Sequence, residues 1–175
     1  PPPPPRCCSS AASDVYQSQL YTFGDGDYGK LGHGDEETQT LPKRVDALQG
    51  RVTSVACGAE HTAVVLDDGT LYTFGDGDEG QLGHGDTQKQ ASPKRVEVEA
   101  WQGRQVTSVA CGTGHTAVVL DDGALYTFGA GGWGQLGHGD EEQQVSPKQV
   151  EVEAWQGRKV TSVACDCAQT AVVLD

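Results

Sequence analysis

The chain has 175 residues, enough for about one ordinary domain, with 25 Asp and Glu against 12 Lys and Arg. Its net charge of −13 and isoelectric point near 4.6 disfavour nucleic acid or an anionic membrane as a direct partner and favour a basic protein surface. No apolar run approaches the roughly 20 residues of a membrane span, and no signal peptide is recognisable. We therefore expect an intracellular, cytoplasmic protein, with the nucleus as the alternative compartment.

The chain opens on a Pro- and Ser-rich segment, residues 1–18, which reads PPPPPRCCSSAASDVYQS. Because this segment has no apolar periodicity, it cannot contribute a face to a core, and we expect a flexible leader. The chain contains no Met and stops at Asp175 within a repeat. These features predict a piece of a longer protein.

Residues 19–175 consist of three copies of one unit. Tyr21, Tyr72 and Tyr126 occupy the same position in the unit, 51 and 54 residues apart, and the second and third copies are identical at most positions. The three units are approximately residues 20–69, 70–123 and 124–175. A fixed period of this length is typical of architectures in which each repeat packs only against its neighbours.

Each unit contains four strand signals, which are LYTFG, a Pro-led KRVEV segment, VTSVACG and HTAVVLDD. All four are short and rich in Val, Thr, Tyr or Phe. The stretches DDGTLY at 67–72 and DDGALY at 121–126 place Gly in a tight turn between apolar runs and predict hairpins. Since no segment is long enough for a crossover helix, we predict an all-β fold of four-stranded antiparallel β-propeller blades.

Many recurring residues are of types that hold such a blade together. The glycines suit tight turns, the first set of histidines suits turn capping, and the second set can bond a neighbouring strand. The cysteines, each in a VAC strand, are expected to be reduced core residues. This predicted structural signature is Gly24, Gly29, Gly32, His33, Gly75, Gly80, Gly83, His84, Gly129, Gly134, Gly137, His138, Cys57, Cys111, Cys165, His61 and His115.

No sequence motif supports a phosphate-binding, metal-binding or catalytic site. The segment from Gly24 to Gly29 fits G-x-G-x-x-G, but another turn follows it instead of a helix, and its carboxylates would repel phosphate. Asp25 and Asp27 do not continue as a calcium loop, because Lys30 stands where Gly is required. Neither zinc-ligand spacing nor a serine-nucleophile elbow occurs. We predict no catalytic residue, no metal and no cofactor.

The strings GDGDYGKLGHGD, GDGDEGQLGHGD and GAGGWGQLGHGD, each followed by a VTSVAC strand, resemble the regulator of chromosome condensation family over Leu20 to Asp175. The resemblance implies a seven-bladed β-propeller, of which three units would form an incomplete or open part. Propellers typically have four to eight blades, so further blades, a partner or self-association should cover the exposed blade edges.

Positions that differ between otherwise copied units mark loops that are free to specialise. Asp76, Asp78 and Glu79 of the second unit differ from the third, where Trp133 is a candidate contact anchor. We predict a non-enzymatic protein–protein interaction scaffold within a larger regulatory protein. The resemblance implies two alternatives, a guanine-nucleotide exchange factor for a small GTPase and the substrate-binding part of a large ubiquitin ligase.

Overall fold

The computed structural model describes residues 18–175, and nearly all of the predicted leader lies outside them. The strands of this part are β1 Tyr21–Gly24, β2 Gln39–Arg44, β3 Val52–Cys57, β4 His61–Leu66, β5 Leu71–Gly75, β6 Gln90–Arg95, β7 Val106–Cys111, β8 His115–Leu120, β9 Leu125–Gly129, β10 Gln144–Gln149, β11 Val160–Asp166 and β12 Gln169–Leu174. Single-turn 3₁₀ segments occupy Asp27–Gly29, Glu99–Trp101 and Glu153–Trp155. Within residues 18–175 no helix has the length and apolar character needed to cross a membrane.

The strands form antiparallel sheets in chain order. Sheet 2 has the order β3-β4-β5-β6 and sheet 3 the order β7-β8-β9-β10. Sheet 1 contains β1 and β2, which correspond to the last two strands of a complete sheet, and sheet 4 contains β11 and β12, which correspond to the first two. The first strands adjoin, because β7 packs against β3 on one side and β11 on the other. The predicted all-β fold is confirmed, as an open part of a β-propeller.

The sheets are out of phase with the sequence units. Each unit starts at an LYTFG strand, whereas each complete sheet starts at a VTSVAC strand and ends two strands into the next unit. The predicted hairpins explain this offset. Leu66 N–H donates to the Thr70 carbonyl at 3.0 Å, so that β4 turns directly into β5 of the same sheet. The segment after each Pro-containing strand instead crosses to the next sheet.

The Pro-containing strands begin earlier than predicted. The strand covers QASPKR rather than KRVEV in the second unit, so Pro93 lies inside β6. Strand β6 is the outer edge of sheet 2, so no further strand accepts hydrogen bonds from its outward-facing N–H groups. A proline costs little at such an edge.

The apolar core lies between adjacent sheets. Successive residues of β4 point to opposite sides, so Val64 joins the cluster shared with sheet 1 and Val65 the cluster shared with sheet 3. Trp101 meets Tyr126 edge to face, with ring centroids 6.1 Å apart. The third cluster, between sheets 3 and 4, includes Val119 and Val150. Sheets 2 and 3 are therefore each stabilised by apolar packing against two neighbouring sheets.

Alternating strand directions place two kinds of connection at one end of the sheets. The short turns β3–β4, β7–β8 and β11–β12 lie there together with the long loops 25–38, 76–89 and 130–143. We call this end the long-loop face. The hairpins β4–β5 and β8–β9 and the connectors between sheets lie at the other end, the connector face.

Candidate interaction face

The three long loops share one glycine turn, although Tyr28 of the first loop has a φ of 61° that its counterparts Glu79 and Trp133 do not adopt. Gly29, Gly80 and Gly134 have φ values of 75°, 73° and 70°, and the N–H of each donates to the carbonyl three residues earlier. These positive φ angles are accessible to glycine and strained for other residues. Another glycine turn follows in each loop, as predicted, so there is no helix N-terminus to receive a phosphate.

A histidine within each long loop anchors the loop to the strand that precedes it. In the second unit, the Thr73 hydroxyl donates to the Leu82 carbonyl at 2.7 Å and therefore accepts from Nε2–H of His84 at 3.0 Å. Thr22 with His33 and Thr127 with His138 repeat this arrangement at 2.9 and 3.0 Å. Burial lowers the pKa of His84 to about 4, which keeps the imidazole neutral. The three histidines therefore hold the long loops against the strands that precede them.

The second pair of histidines joins neighbouring sheets. Nε2 of His61 lies 2.8 Å from Oγ1 of Thr116, and that hydroxyl donates to the Gln81 carbonyl at 2.8 Å. His115 bonds Thr170 in the same way at 2.9 Å. Since the threonine proton is committed, each histidine must donate from Nε2, and Nδ1 is left buried without a hydrogen-bond partner. Burial lowers the pKa of His61 to about 4 and also lowers that of His115.

Thr116 and Thr170, whose hydroxyls link these histidines to loop carbonyls, stabilise the fold but were not singled out from the sequence. The sequence nevertheless marks this position, because Thr170 is retained in the third unit although Gln169 replaces the histidine. The position must therefore serve a partner from the preceding sheet, and Thr170 indeed accepts from His115.

The cysteines only partly match the prediction of buried core thiols. Cys111 is buried between sheets, and burial strongly raises the pKa of its thiol. Cys57 is exposed and Cys165 half-buried, which corrects the prediction for these two. The difference arises because Cys111 has sheets on both sides among the described residues. All the described cysteines are free, and no His, Cys, Asp and Glu cluster within residues 18–175 is arranged to hold a metal ion.

The predicted contact residues separate into two groups. Asp78, Glu79 and Trp133 are exposed, and Trp133 retains 83% of its accessible surface. Asp76 is a correction, because it is only 7% exposed and its carboxylate accepts from Nε2 of Gln81 at 2.9 Å. Asp76 holds its own loop, so the candidate contact set is reduced to the other three residues.

One loop position presents a different exposed side chain in each unit. Glu79 and Trp133 occupy this position in the second and third loops, and Tyr28, which sequence comparison had not selected, occupies it in the first. The backbone N–H groups of Glu79 and Trp133 donate to Oε1 of the buried Gln81 and Gln135, at 2.9 and 2.8 Å. These glutamines fix the backbone from which Glu79 and Trp133 leave their loops, whereas Lys30 stands at the corresponding position of the first loop.

The long-loop face carries many carboxylates. Some are neutralised by lysines, as in the pairs Lys30–Asp25 and Lys89–Glu36. Other acidic side chains are exposed and form no ion pair within residues 18–175. They are Asp27, Glu37, Asp78, Glu79, Glu141, Glu142 and Asp166. The long-loop face therefore carries both exposed aromatic side chains and acidic side chains that form no ion pair within the described residues.

The fold and this exposed face define a protein-interaction β-propeller segment. The model of the regulator of chromosome condensation (RCC1) repeat matches residues 17–65, 68–119 and 122–173, and a second model of the repeat matches 52–81 and 106–135. The chain therefore belongs to the RCC1-repeat family. The first model follows the sequence units, whereas each match of the second lies across three strands and the following loop of one sheet.

The chain matches part of two longer curated relatives. The ultraviolet-B receptor UVR8 of Arabidopsis thaliana is 43% identical over 136 residues, which cover 77% of this chain and 30% of UVR8. The human E3 ubiquitin-protein ligase HERC2 is 38% identical over 152 residues, which cover 86% of this chain and 3% of HERC2. The chain thus spans less than a third of either relative.

Solved structures agree with the fold. Prp20p from Saccharomyces cerevisiae, described with its binding properties to Gsp1p and histones, has a TM-score of 0.78 and 26% identity over 88% of this chain and 39% of its own. Human WBSCR16 has a TM-score of 0.77 and 26% identity over 91% of this chain and 40% of its own.

Proposed function

We propose that this RCC1-repeat segment binds a basic protein surface through its long-loop face. The observation that carries the proposal is the position shared by Tyr28, Glu79 and Trp133, whose exposed side chains lie on the same face as acids that have no ion-pair partner in the described residues. Tryptophan is enriched among residues that dominate binding energy, because it buries much area at low entropic cost. The surrounding carboxylates would steer a basic partner and set its orientation.

The connector face, at the opposite end of the sheets, differs from the long-loop face in its aromatic side chains. On the connector face, Arg104 pairs with Asp122, and the exposed acids Glu97 and Glu99 lie beside Trp101, which is buried in the core. Among the described residues, this tryptophan is unavailable as an anchor because it packs against Tyr126. Charge is present on both faces, whereas the loop position that varies between units and exposes aromatic side chains belongs to the long-loop face.

Similarity to Prp20p supports a basic partner, since histones are among the proteins whose binding to Prp20p has been described. Purified core histones are therefore the first probe. They are titrated with the chain, and fluorescence anisotropy measures the binding at low and at physiological salt. We expect W133A to weaken binding about tenfold or more. The pair D78N/E79Q should weaken it about fivefold and reduce its dependence on salt.

The control carries the same charge change on the other face. E97Q/E99Q removes two carboxylates from the connector face and should leave histone binding within about a factor of two, beyond the small effect of net charge. Equal losses in the two double variants would show that only overall charge matters. No histone binding even at low salt would contradict the proposal.

Guanine-nucleotide exchange is the second candidate function, supported by the description of Prp20p with binding to Gsp1p. Exchange would require the loops to displace contacts of the bound nucleotide and its metal ion, with no covalent step. The test is release of labelled nucleotide from a panel of small GTPases with and without the chain. Faster release from one GTPase supports exchange, and unchanged release across the panel opposes it. A ubiquitin-ligase role, suggested by HERC2, would involve a whole protein of which this chain covers 3%.

A further inference from the structure

Each of the first two long loops holds one of its own carboxylates between a side-chain donor and a backbone donor. In the second loop, Oδ2 of Asp76 accepts from Nε2 of Gln81 at 2.9 Å, and Oδ1 lies 3.5 Å from the backbone nitrogen of Asp78. In the first loop, Asp25 accepts from Nζ of Lys30 at 2.5 Å and from the N–H two residues after itself at 3.1 Å. The repeat thus contains a built position for a carboxylate.

The third long loop keeps the two donors and lacks the carboxylate. Ala130 stands where the second loop has Asp76, and Gln135 stands where it has Gln81. The backbone donor of this loop is the N–H of Gly132. Among the described residues, neither Nε2 of Gln135 nor the N–H of Gly132 donates a hydrogen bond. The two groups that hold a carboxylate in the second loop are therefore free in the third.

The amide of Gln135 has the same anchor as the amide of Gln81. Oε1 of Gln135 accepts from the N–H of Trp133 at 2.8 Å, and Oε1 of Gln81 accepts from the N–H of Glu79 at 2.9 Å. Because an amide carries its oxygen and its NH₂ on opposite sides, this shared bond directs Nε2 of Gln135 toward the vacated position. Gln135 is only 8% exposed. An acceptor that reaches its Nε2 forms a stronger hydrogen bond than one on an open surface.

Small residues surround the two free donors. A Cβ atom added to Gly132 would meet nothing within 4 Å, and one added to Gly114 would come no closer than 3.6 Å to another residue. The third unit therefore has room beside the donors, and four fewer carboxylates around them than the second unit. The acids of the second unit are Glu60, Asp76, Asp78 and Glu79, and their counterparts in the third are Gly114, Ala130, Gly132 and Trp133.

We propose that the third long loop is a specificity subsite, which accepts one carboxylate of the partner in the position that Asp25 and Asp76 fill in the other loops. Nε2 of Gln135 and the N–H of Gly132 are its donors. The inference rests on the proposed binding of a basic partner by this face, and it adds one requirement, an acidic side chain within the basic segment.

The surroundings of the subsite explain why this acidic side chain belongs to a basic segment. A Cβ atom added to Gly114 would lie 3.7 Å from Cγ of Glu79, so the second loop forms one wall of the subsite. Glu141 and Glu142 belong to the third loop itself. These three glutamates are exposed and form no ion pair within the described residues. Lysines on either side of the partner's carboxylate would pair with them, whereas a purely acidic segment would be repelled.

The subsite is tested with three labelled peptides with blocked ends, KKDKK, KKNKK and KKAKK, whose binding to the chain is followed by fluorescence anisotropy at low salt. We expect the aspartate peptide to bind about fivefold or more tightly than the alanine peptide, although its net positive charge is lower. The asparagine peptide, which offers a neutral acceptor, should stay within about twofold of the alanine peptide. Equal binding of the aspartate and alanine peptides would overturn the subsite, and equal binding of the aspartate and asparagine peptides would overturn its assignment to a carboxylate.

Two variants of the chain remove the subsite in different ways. A130D gives the third loop a carboxylate of its own, as in the second loop. Q135E keeps an oxygen that accepts from the N–H of Trp133 and loses the Nε2 donor. In both variants the preference for the aspartate peptide should disappear. T87D is the control, because it adds the same charge to this face at an exposed position where the other two loops already have glutamate, and it should keep the preference.

The outcomes separate the subsite from the proposed function. The alanine peptide has lysines as its only charged groups, so its binding tests the basic-surface function alone. Equal, measurable binding of all three peptides would remove the subsite and leave that function, and no binding of any peptide would oppose both. A preference for the aspartate peptide that survives in A130D and in Q135E would also overturn the subsite. Urea midpoints establish that the variants are folded, and the comparison of peptides on the parent chain decides the question without them.

Discussion

His61 of sheet 2 and Thr116 of sheet 3 are joined through Nε2 and Oγ1 at 2.8 Å, in a site where both side chains are almost completely buried. The same threonine hydroxyl donates a second hydrogen bond to the Gln81 carbonyl in a long loop. One hydroxyl therefore ties together the strand of one sheet, the strand of the next and the loop that forms the candidate interaction face.

Replacement of this hydroxyl should destabilise the chain. T116V keeps the side-chain volume but leaves Nε2–H of His61 and the Gln81 carbonyl without their partner in a buried site. We expect a loss of about 2 to 4 kcal/mol in the free energy of unfolding, measured by urea denaturation. T107V is the control, since the exposed Thr107 hydroxyl bonds only the Val119 carbonyl, and it should cost about 0.5 kcal/mol or less. Equal effects would contradict the assigned role of Thr116.

Stability should fall in mild acid. Burial lowers the pKa of His61 from its ordinary 6.5 to about 4, so the folded chain binds this proton less readily than the unfolded chain. The stabilisation is complete above pH 6.5 and is lost as the pH falls from there toward 4, amounting to roughly 3 kcal/mol for this group. Urea midpoints measured at pH 7.5 and pH 5 should show the loss.

The variant H61Q provides the check on that pH dependence. Glutamine offers an N–H donor to Thr116 and does not titrate, and the third unit already has Gln169 at this position. We expect the difference between the midpoints at pH 7.5 and pH 5 to shrink in H61Q. The same pH dependence in the variant and the parent would exclude His61 as its source.

The same substitution should have very different effects at equivalent positions of the repeat. F74A removes a fully buried ring between sheets 1 and 2 and should cost about 3 to 5 kcal/mol. F23A removes a ring that is 63% exposed and should change the stability of the monomer by about 0.5 kcal/mol or less. Thermal unfolding at a concentration below any self-association compares the two. A comparable loss in both variants would contradict the described packing.

A pair of glycine variants separates backbone strain from steric clash. G83A introduces a Cβ 2.7 Å from the Phe128 ring at a φ of 73°, whereas G103A has nothing within 4 Å at a φ of 80°. Both substitutions incur the cost of a positive φ, about 1 to 2 kcal/mol. Only G83A also forces the sheets apart, which should add about 1 to 3 kcal/mol. Urea denaturation measures the difference, and equal losses would show that Phe128 moves aside without cost.

Local sequence signals were sufficient for much of the candidate face. Glycines with positive φ mark the turns of the long loops, and the residues that vary between copies led to Asp78, Glu79 and Trp133, which are exposed. Asp76 shows the limit of this reasoning. Its carboxylate is buried because Gln81, five residues away, donates to it, and this contact depends on the path of the folded loop.

By itself the sequence determined the period, the four strands of each unit and the hairpins, because strand propensity and turn geometry depend on residues that are neighbours along the chain. Only the tertiary structure decided which strands share a sheet and which copies of a residue are buried. Phe23 and Phe74 occupy the same position of the unit, yet one is exposed and the other is fully buried. Burial is set by the adjacent sheet, and a sequence repeated in each unit does not contain that distinction.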